Sequence, residues 1–399
     1  MKKMTVRDYD IQGKRTLMRV DFNVPLNDAG EVTDDTRIVA SLPTIKALIE
    51  KGATIILMSH LGRPKGKVDP AFSLRPAADR LSSLLDRDIA FADDCIGDTV
   101  EKMAADMQPG DVLLLENLRF HREERDNDEQ FARTLAKLGD VYVNDAFGTA
   151  HRAHASTVGV ARFLQPALSG LLMEKEIGNL NHALHNPEHP FLGILGGAKI
   201  SGKIDVISNL LERIDIFLIG GGMMFTFLKA QGMEIGSSLV EKDKIALAAD
   251  ILRRAEETGK QVILPVDTIV GREFRNETER RTVPVTDIPS DMMGLDIGPE
   301  TITLFSHHMS RARTIVWNGP MGVFEMPNFS RGTFAITEAL ATATAQGVFT
   351  LIGGGDSASA IKQAGLENDV THVSTGGGAS LEFLEGKTLP GIAALTDKN

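Results

Sequence analysis

The chain has 399 residues, 42% of them hydrophobic, and a formal net charge of −11 at pH 7, which is length enough for two globular domains. The negative charge gives the molecule as a whole no attraction for nucleic acid or an anionic membrane. Cys95 is the single cysteine, which excludes an internal disulfide, and the chain has no apolar leader and no bilayer-long apolar run. These features predict a soluble, cytoplasmic protein.

In the first half of the chain, short apolar strands alternate with helices. The pattern predicts strands over 16–21, 53–59, 111–115 and 141–143. Apolar residues recur at helical spacing from Arg37 to Ile49, after Ser73 and after Asp128. Ser73 and Asp128 are the predicted N-caps of the second and third of these helices. Pro43 leaves the start of the first helix open. This alternation is typical of a parallel, doubly wound sheet with helices on both faces.

The pattern changes near the middle of the chain. Residues 171–184 predict one more helix, and the next segment, 186–190, contains two prolines, which are typical of a linker. We therefore predict an N-terminal domain over 1–168, an interdomain helix and hinge over 169–190, and a C-terminal domain over 191–380.

The second half alternates again, and its strands end in glycine. Strands are predicted over 191–195, 216–219, 261–266, 313–317, 348–352 and 372–374. Helices are predicted from Ile204, from Met223 and over 242–257. Glycines follow four of the strands, at 196–197, 220–222, 353–355 and 376–378. The predicted fold class is α/β, with two doubly wound, Rossmann-like domains.

The strand ends of the first half carry cationic and polar side chains. Ligands of open α/β sheets bind at the carboxyl ends of the strands, and the residues there are Asp21, Asn23, His60, Arg63, Arg119 and Arg152, with Arg37 added from the loop before a helix. Arginine presents a planar fork that matches phosphate and carboxylate. The set favours a small, multiply anionic ligand over scattered surface salt bridges, and Asp21 and Asn23 would suit its hydroxyl groups.

The segment 193–204 combines a strand, a glycine turn and a helix start. Such a turn suits a phosphate, and Lys199 and Lys203 would share one face if they lay on a helix. Residues 197–203 match the start of a P-loop, but Ile204 replaces the hydroxyl residue that holds Mg²⁺. The segment is therefore either a phosphate site of another design or a glycine-tightened turn with two solvated lysines.

Asp356, directly after glycines 353–355, has two interpretations. A carboxylate beside a phosphate needs a cation between them, so Asp356 is either a Mg²⁺ anchor or a plain helix cap. Residues 353–358 also match a dinucleotide fingerprint, although no acid follows about 20 residues later. A nicotinamide-dependent dehydrogenase and a non-catalytic nucleotide-binding protein are therefore alternatives. The first half of the chain suits a small anion and the second half suits a nucleotide. This division favours phosphoryl transfer, with domain closure once both ligands are bound.

The motifs together resemble those of the phosphoglycerate kinase family, in that family's order and over nearly the whole chain. They are RVDFNVP (19–25), SHLGRP (59–64), ENLRF (116–120), GTAHR (148–152), LGGAK (195–199), NGPMGVFE (318–325), GGGD (353–356) and STGGGAS (374–380).

The resemblance implies a monomeric glycolytic kinase that transfers a phosphoryl group reversibly, by direct in-line transfer, between 1,3-bisphosphoglycerate and MgADP, giving 3-phosphoglycerate and MgATP. It implies that the three-carbon acid is bound by Asp21, Asn23, Arg37, His60, Arg63, Arg119 and Arg152. It implies that catalysis involves Arg37, Lys199, Gly354 and Gly377. It implies that the nucleotide is bound by Gly196, Lys199, Lys203, Gly220, Gly221, Asn318, Glu325, Gly353, Gly354, Gly355, Asp356 and Ser357.

Three finer expectations come from the same resemblance. Asp356 would hold Mg²⁺, Glu325 would contact the ribose, and the final segment, 381–399, would return to the N-terminal domain. Gly202 stands where family members usually carry an acidic residue, which leaves the setting of the Lys203 amine open.

Overall fold

A computed structural model describes residues 2–398, and the chain divides into two compact units. One unit holds the chain up to Gly178 and again from Thr388, and the other holds Asn179–Lys387. Met1 and Asn399, the outer ends of the predicted first domain and final segment, lie outside the described residues. The domain limits at 168, 190 and 380 stay predictions.

The first unit is built on a six-stranded parallel sheet. Its strands are β1 (Arg15–Arg19), β2 (Thr54–Met58), β3 (Ala90–Phe91), β4 (Val112–Leu114), β5 (Val141–Asn144) and β6 (Ala167–Ser169). Their spatial order is β3-β4-β2-β1-β5-β6, and in the central strand Leu17 pairs with Ile56 on one side and Tyr142 on the other. All five residues of β2 are buried, because helices cover both faces of such a sheet.

The helices of this part are α1 (Thr36–Glu50), α2 (Arg75–Leu85), α3 (Asp98–Asp106), α4 (Arg122–Asp126), α5 (Glu129–Ala136) and α6 (Leu171–His185). The predicted cap Asp128 is confirmed, since its carboxylate accepts the Phe131 N–H. Pro43 lies inside α1, which starts earlier, at Thr36. Ser73 lies two residues before α2 and its Oγ accepts the Arg75 N–H at 3.2 Å. The chain passes from one unit to the other within α6.

The second unit has nine strands in two sheets. They are β7 (Phe191–Leu195), β8 (Ile216–Ile219), β9 (Gln261–Ile263), β10 (Asp267–Gly271), β11 (Arg280–Pro284), β12 (Met293–Ile297), β13 (Thr314–Asn318), β14 (Phe349–Gly353) and β15 (His372–Val373). A parallel sheet has the order β15-β14-β13-β7-β8-β9, and a small sheet has the order β11-β10-β12. The small sheet is antiparallel and was not predicted.

Seven helices lie within the second unit: α7 (Ile204–Leu211), α8 (Met224–Ala230), α9 (Ile245–Glu257), α10 (Pro299–Met309), α11 (Arg331–Ala345), α12 (Gly355–Gln363) and α13 (Gly378–Leu384). The helix predicted over 242–257 begins with a separate 3₁₀ turn, Lys242–Lys244. Lys199 and Lys203 both precede α7. The expectation that they share a helical face is therefore wrong; both lie in the connection between β7 and α7.

The final residues of the chain bond to the first unit. After the short helix α14 (Pro390–Ala393), the Thr396 N–H donates to the Ala167 carbonyl at 2.9 Å. Within α14, the Gly391 N–H donates to the Ala150 carbonyl at 2.8 Å. Lys3 forms an ion pair with Asp397 at 2.8 Å. Among residues 2–398, no helix combines the length and apolar character needed to cross a bilayer.

Candidate active site

A cluster of charged and polar side chains lies at the carboxyl ends of β1, β2 and β4 in the first unit. Arg37 donates to Asp21 Oδ2 at 3.0 Å. Asn23 Oδ1 accepts the Gly62 N–H at 2.8 Å, and Arg119 donates to the Gly62 carbonyl at 2.8 Å. The first bond joins Asp21 to Arg37 directly, and the other two join Asn23 to Arg119 through Gly62, which lies 57 positions before Arg119 in the chain.

His60 joins the same cluster, whereas two predicted arginines stand apart from its hydrogen bonds. His60 Nδ1 lies 3.8 Å from Asp21 Oδ1. Arg63 and Arg152 follow β2 and β5, and both side chains are exposed. Neither makes a hydrogen bond to the cluster within residues 2–398, so their guanidinium groups are free to meet a ligand from solvent.

A buried arginine supports this cluster from beneath. Arg19, the last residue of β1, is fully buried; its Nε donates to Ser156 Oγ at 2.8 Å, and its Nη2 lies 3.0 Å from His60 Nδ1. Ser156 donates through its hydroxyl to Glu124 Oε1 at 2.6 Å and through its N–H to Oε2 at 2.9 Å. Glu124 is also fully buried. A continuous chain of hydrogen bonds thus runs from Glu124 to His60.

The cluster is electropositive, and this fixes the protonation of its histidines. Burial, together with the charges of Arg19 and Arg119, holds the pKa of His60 well below its usual value. The same causes lower the pKa of His154 to about 3. His60 is therefore neutral at pH 7, and because its Nδ1 accepts from Arg19, its proton lies on Nε2.

Two of the predicted residues in the cluster each have a buried polar atom with no hydrogen-bond partner among the described residues. These atoms are Asp21 Oδ1 and Arg119 Nε. Burial and the charge of Arg19 also lower the pKa of Arg119 to about 10. Unpartnered buried groups and crowded positive charge are costly unless a ligand satisfies them. The unpartnered carboxylate oxygen of Asp21 and the crowded positive charge suit a small anion that also carries a hydroxyl group.

In the second unit, glycine turns let three strand ends approach one another. The Gly196 and Gly197 N–H groups donate to the Asn318 and Pro320 carbonyls at 3.0 and 2.8 Å. Gly221 has φ +64°, and a Cβ there would lie 2.5 Å from the Gly197 nitrogen. The close packing of these turns therefore requires glycine.

These turns border a cavity of about 320 Å³. Its lining includes Gly197, Gly221, Phe225, Met321, Glu325 and Asp356. Largely apolar walls with a few polar or charged groups are typical of a site for a small molecule.

Asn318 is buried beside the third glycine turn, and neither its amide oxygen nor its amide nitrogen has a partner among the described residues. Gly354, with φ +89°, lies against this amide; a Cβ there would be 3.1 Å from Asn318 Nδ2. Ser357 Oγ is buried and accepts the Gly319 N–H at 2.6 Å, which fixes the neighbouring turn. An unsatisfied buried amide next to a glycine turn and a helix start is suited to a polar ligand.

Two charged residues of the second unit, Asp356 and Lys203, interact near the start of α12. Gly354 is the helix cap, so the interpretation of Asp356 as a cap is wrong; its exposed carboxylate lies in the first turn. Burial lowers the pKa of Lys203 to about 8, against the opposing charges of Asp356 and Glu385. Lys199 and Glu325 are exposed, and Gly377, with φ +50°, caps α13.

Comparison with known proteins identifies the family. The phosphoglycerate kinase family model matches residues 6–387. The phosphoglycerate kinases of Prosthecochloris aestuarii and Chlorobaculum tepidum are each 58% identical over 397 residues, covering 100% of both sequences. The chain belongs to the phosphoglycerate kinase family. The structure of phosphoglycerate kinase from Coxiella burnetii is 40% identical with a TM-score of 0.89, and that from Pyrococcus horikoshii OT3 is 34% identical with a TM-score of 0.84. Each covers 98% of both chains.

Membership of the phosphoglycerate kinase family confirms the predicted fold class and the predicted enzyme class, a glycolytic phosphotransferase. The two alternatives, a dehydrogenase and a non-catalytic nucleotide-binding protein, find no support among these relatives. The structure adds residues that the sequence analysis did not assign to the site, namely Arg19, Glu124 and Ser156. The sequence offers one signal for these three residues, a charged residue inside an apolar strand, and that signal marks only Arg19.

Proposed function

We propose that the two units divide the ligands of the phosphoglycerate kinase reaction between them. The first unit would hold 3-phosphoglycerate or 1,3-bisphosphoglycerate, and the second would hold MgATP or MgADP. The observation that carries this division is the contrast between the sites. One is an electropositive cluster with unpartnered polar atoms, and the other is a glycine-bordered cavity of about 320 Å³.

In the first unit, the cationic groups would bind the phosphate and carboxylate of the three-carbon acid. Arg63, Arg119 and Arg152 would supply guanidinium forks. Neutral His60 would donate through Nε2, and Asp21 Oδ1, which has no partner among the described residues, would accept from the substrate hydroxyl. Asn23 is held by Gly62 and would border the same group.

In the second unit, Gly196, Gly220 and Gly221 would border the base, and Glu325 at the cavity edge would contact the ribose. The turn from Gly353 to Gly355 opens α12, whose N–H groups and positive dipole end suit a phosphate. Asn318 and Lys203 would bind the same phosphate chain, and Ser357 would hold the turn in place.

The start of α12 also fits the divalent cation that the reaction requires. Asp356 offers an exposed carboxylate beside the cavity, and Mg²⁺ prefers one or two carboxylates together with substrate phosphates. When bound there, Mg²⁺ would neutralise part of the charge on the nucleotide phosphates. We propose Asp356 as its protein ligand.

The chemistry would depend on positioning and on charge neutralisation. In the ATP-consuming direction the acceptor is a carboxylate, which is already ionised at pH 7, so no general base is needed. In direct in-line transfer, negative charge spreads over the transferred oxygens, and Arg37 and Lys199 would neutralise it. The backbone at Gly354 and Gly377, the caps of α12 and α13, would complete the set. Domain closure around the two ligands would exclude water.

A further part of the proposal concerns the oligomeric state, the cellular location and the partners of the enzyme. We propose that it acts as a monomer in the cytoplasm on small-molecule substrates alone. The net charge of −11 supports the absence of a nucleic-acid or membrane partner.

The test is a coupled assay with 3-phosphoglycerate and MgATP. Wild type, Arg37→Ala and Lys199→Ala are compared, with Arg133→Ala, an exposed arginine paired to Glu129, as the control. Both site variants should lose about 10²–10³-fold in kcat while still binding their ligands, and the control should match wild type. Full activity in either site variant would overturn its assignment as a charge-neutralising residue.

A further inference from the structure

Asp94, Cys95 and His121 form a cluster of metal-ligand side chains that shares no residue with the proposed substrate and nucleotide sites. Asp94 and Cys95 follow β3, and His121 stands directly before α4. One ligand atom from each residue lies within 4.8 Å of the other two, and within residues 2–398 no other such group of three was found. None of the three residues has a role in the proposed reaction.

We propose that Asp94, Cys95 and His121 bind a borderline divalent cation of the zinc type, with water as the fourth ligand. Thiolate, imidazole and carboxylate are the three side-chain donors that Zn²⁺ accepts in proteins. The set excludes the hard cations Mg²⁺ and Ca²⁺ as preferred occupants, because those select all-oxygen donors. The Asp94 side chain is 53% exposed, which leaves the fourth position open to solvent.

The donors need only small movements to reach tetrahedral coordination. Zinc–ligand bonds of 2.0–2.3 Å place neighbouring donors about 3.4–3.6 Å apart. His121 Nε2 and Asp94 Oδ1 are now 2.7 Å apart, at hydrogen-bond distance. They must therefore separate by about 0.7 Å, and no two of the three donors are more than 4.8 Å apart.

Two of the donors are fixed by packing, and the third is held by a hydrogen bond. Cys95 is fully buried, and the His121 ring packs against the Phe131 ring with centroids 5.3 Å apart. Asp94 is the exposed residue, and its Oδ1 accepts the Cys95 N–H at 2.6 Å. All three side chains are therefore already held near one another, so little conformational freedom is lost when the ion binds.

Binding of the metal ion displaces protons from its ligands. The Cys95 S–H proton leaves to solvent as the S–Zn bond forms. The proton between His121 Nε2 and Asp94 Oδ1 leaves Nε2 as the metal binds: it is released from an imidazolium ring, and from a neutral ring it passes to Nδ1, so the ligand is neutral imidazole in both cases. No electron is transferred, so no oxidant or reductant is needed.

The test is calorimetric titration of the tag-free, full-length protein with ZnCl₂ in excess MgCl₂, which saturates carboxylate sites such as Asp356. Wild type should bind one equivalent. Cys95→Ser and His121→Asn should each weaken that binding by at least about 100-fold, because even second-shell changes cost 10–100-fold. His189→Asn is the matched control, since His189 Nδ1 lies 2.6 Å from Asp215 Oδ2 and the pair belongs to no three-donor cluster among the described residues.

Cobalt substitution supplies a readout that does not depend on variants. Co²⁺ bound to wild type should show a thiolate-to-cobalt charge-transfer band together with intense tetrahedral bands, and zinc should displace both. Absence of the charge-transfer band, equal zinc affinity in wild type and His121→Asn, or equal weakening in His189→Asn would each overturn the proposal. His121 is partly exposed, so its variant keeps the test valid if Cys95→Ser fails to fold.

Discussion

Substituting Glu124 by glutamine tests whether the buried hydrogen-bond chain positions the substrate cluster. The carboxylate accepts two bonds from Ser156, at 2.6 and 2.9 Å. Glutamine has one acceptor oxygen, so if that oxygen accepts the Ser156 N–H, the amide NH₂ must donate to Ser156 Oγ and the Ser156 hydroxyl proton loses its acceptor. A hydrogen bond to a charged group contributes about 1.5–3 kcal/mol, and Arg19 also loses its charge interaction with the buried Glu124 carboxylate.

From these contacts we expect Glu124→Gln to lower the free energy of unfolding by about 2–3 kcal/mol. This corresponds to a fall of roughly 4–12 °C in the melting temperature of a unit of this size. Because Arg19 contacts His60, the KM for 3-phosphoglycerate should rise by about tenfold, the equivalent of 1.4 kcal/mol. The KM for MgATP should stay near the wild-type value, since the nucleotide is assigned to the other unit.

Thermal unfolding and the coupled assay measure these two effects on the same preparations. Ser156→Ala should reproduce the rise in KM, and the double variant should lose less than the sum of the two single changes, because both act through one chain of bonds. Glu129→Gln, which removes an exposed carboxylate of an i,i+4 pair, should change neither quantity. A normal KM for 3-phosphoglycerate in a destabilised Glu124→Gln would refute positioning and leave a purely structural role.

Three further predictions concern backbone strain and protonation. Gly354→Ala and Gly365→Ala both place alanine at positive φ, +89° and +69°, so each should lose about 1–3 kcal/mol of stability. Only Gly354→Ala should also weaken MgADP binding in calorimetry, because only Gly354 contacts Asn318. The affinity for MgADP should fall by up to about tenfold from pH 7.5 to 9.5 as Lys203, with its pKa lowered to about 8, loses its charge. His60 should keep a proton on Nε2 and none on Nδ1 from pH 5.5 to 8 in ¹⁵N NMR, because its pKa lies well below the usual value.

Each of these predictions has an outcome that contradicts it. Equal loss of MgADP affinity in the two glycine variants would mean that strain alone, and not the Asn318 contact, explains the effect. A pH dependence that persists in Lys203→Met would assign the titration to another group. Because the pKa of Lys203 is lowered in the folded chain, the free folded chain binds fewer protons than the unfolded chain between about pH 8 and 10.5. The stability of the free folded chain therefore rises with pH in that window. A titrating His60 would remove the neutral donor from the proposed site.

The parallel sheets could be predicted because their strands are buried on both faces. A strand such as β2, with five buried residues out of five, appears in the sequence as an unbroken apolar run. The edge strand β11 of the antiparallel sheet gives no such signal, since it has a single buried residue, Val283, among exposed arginines and a proline. Helix α3 was missed for the same reason: only Val100 and Ala104 are buried.

The residues at the strand ends could be predicted, but the contacts between them could not. The rule that ligands bind at the carboxyl ends of parallel strands indicates where Asp21, His60 and Arg119 stand, whatever their partners. The bond from Arg19 to Ser156 spans 137 positions, and the bond from Ser156 to Glu124 spans 32. Such pairings depend on how loops fold back on the sheet, and a single sequence carries no periodic signal for them.

The protonation state of His60 is the property of the site that depends most on these long-range contacts. An exposed histidine at the end of β2 would be partly charged near pH 7, and it could then offer a proton from either ring nitrogen. Burial of His60 and the contact from Arg19 to Nδ1 remove that freedom. Arg19 can be buried there because Ser156 links it by hydrogen bonds to the carboxylate of Glu124, whose negative charge compensates the guanidinium charge. The same buried pair therefore makes the positive cluster tolerable to the fold and leaves one defined donor, His60 Nε2, for an anionic substrate.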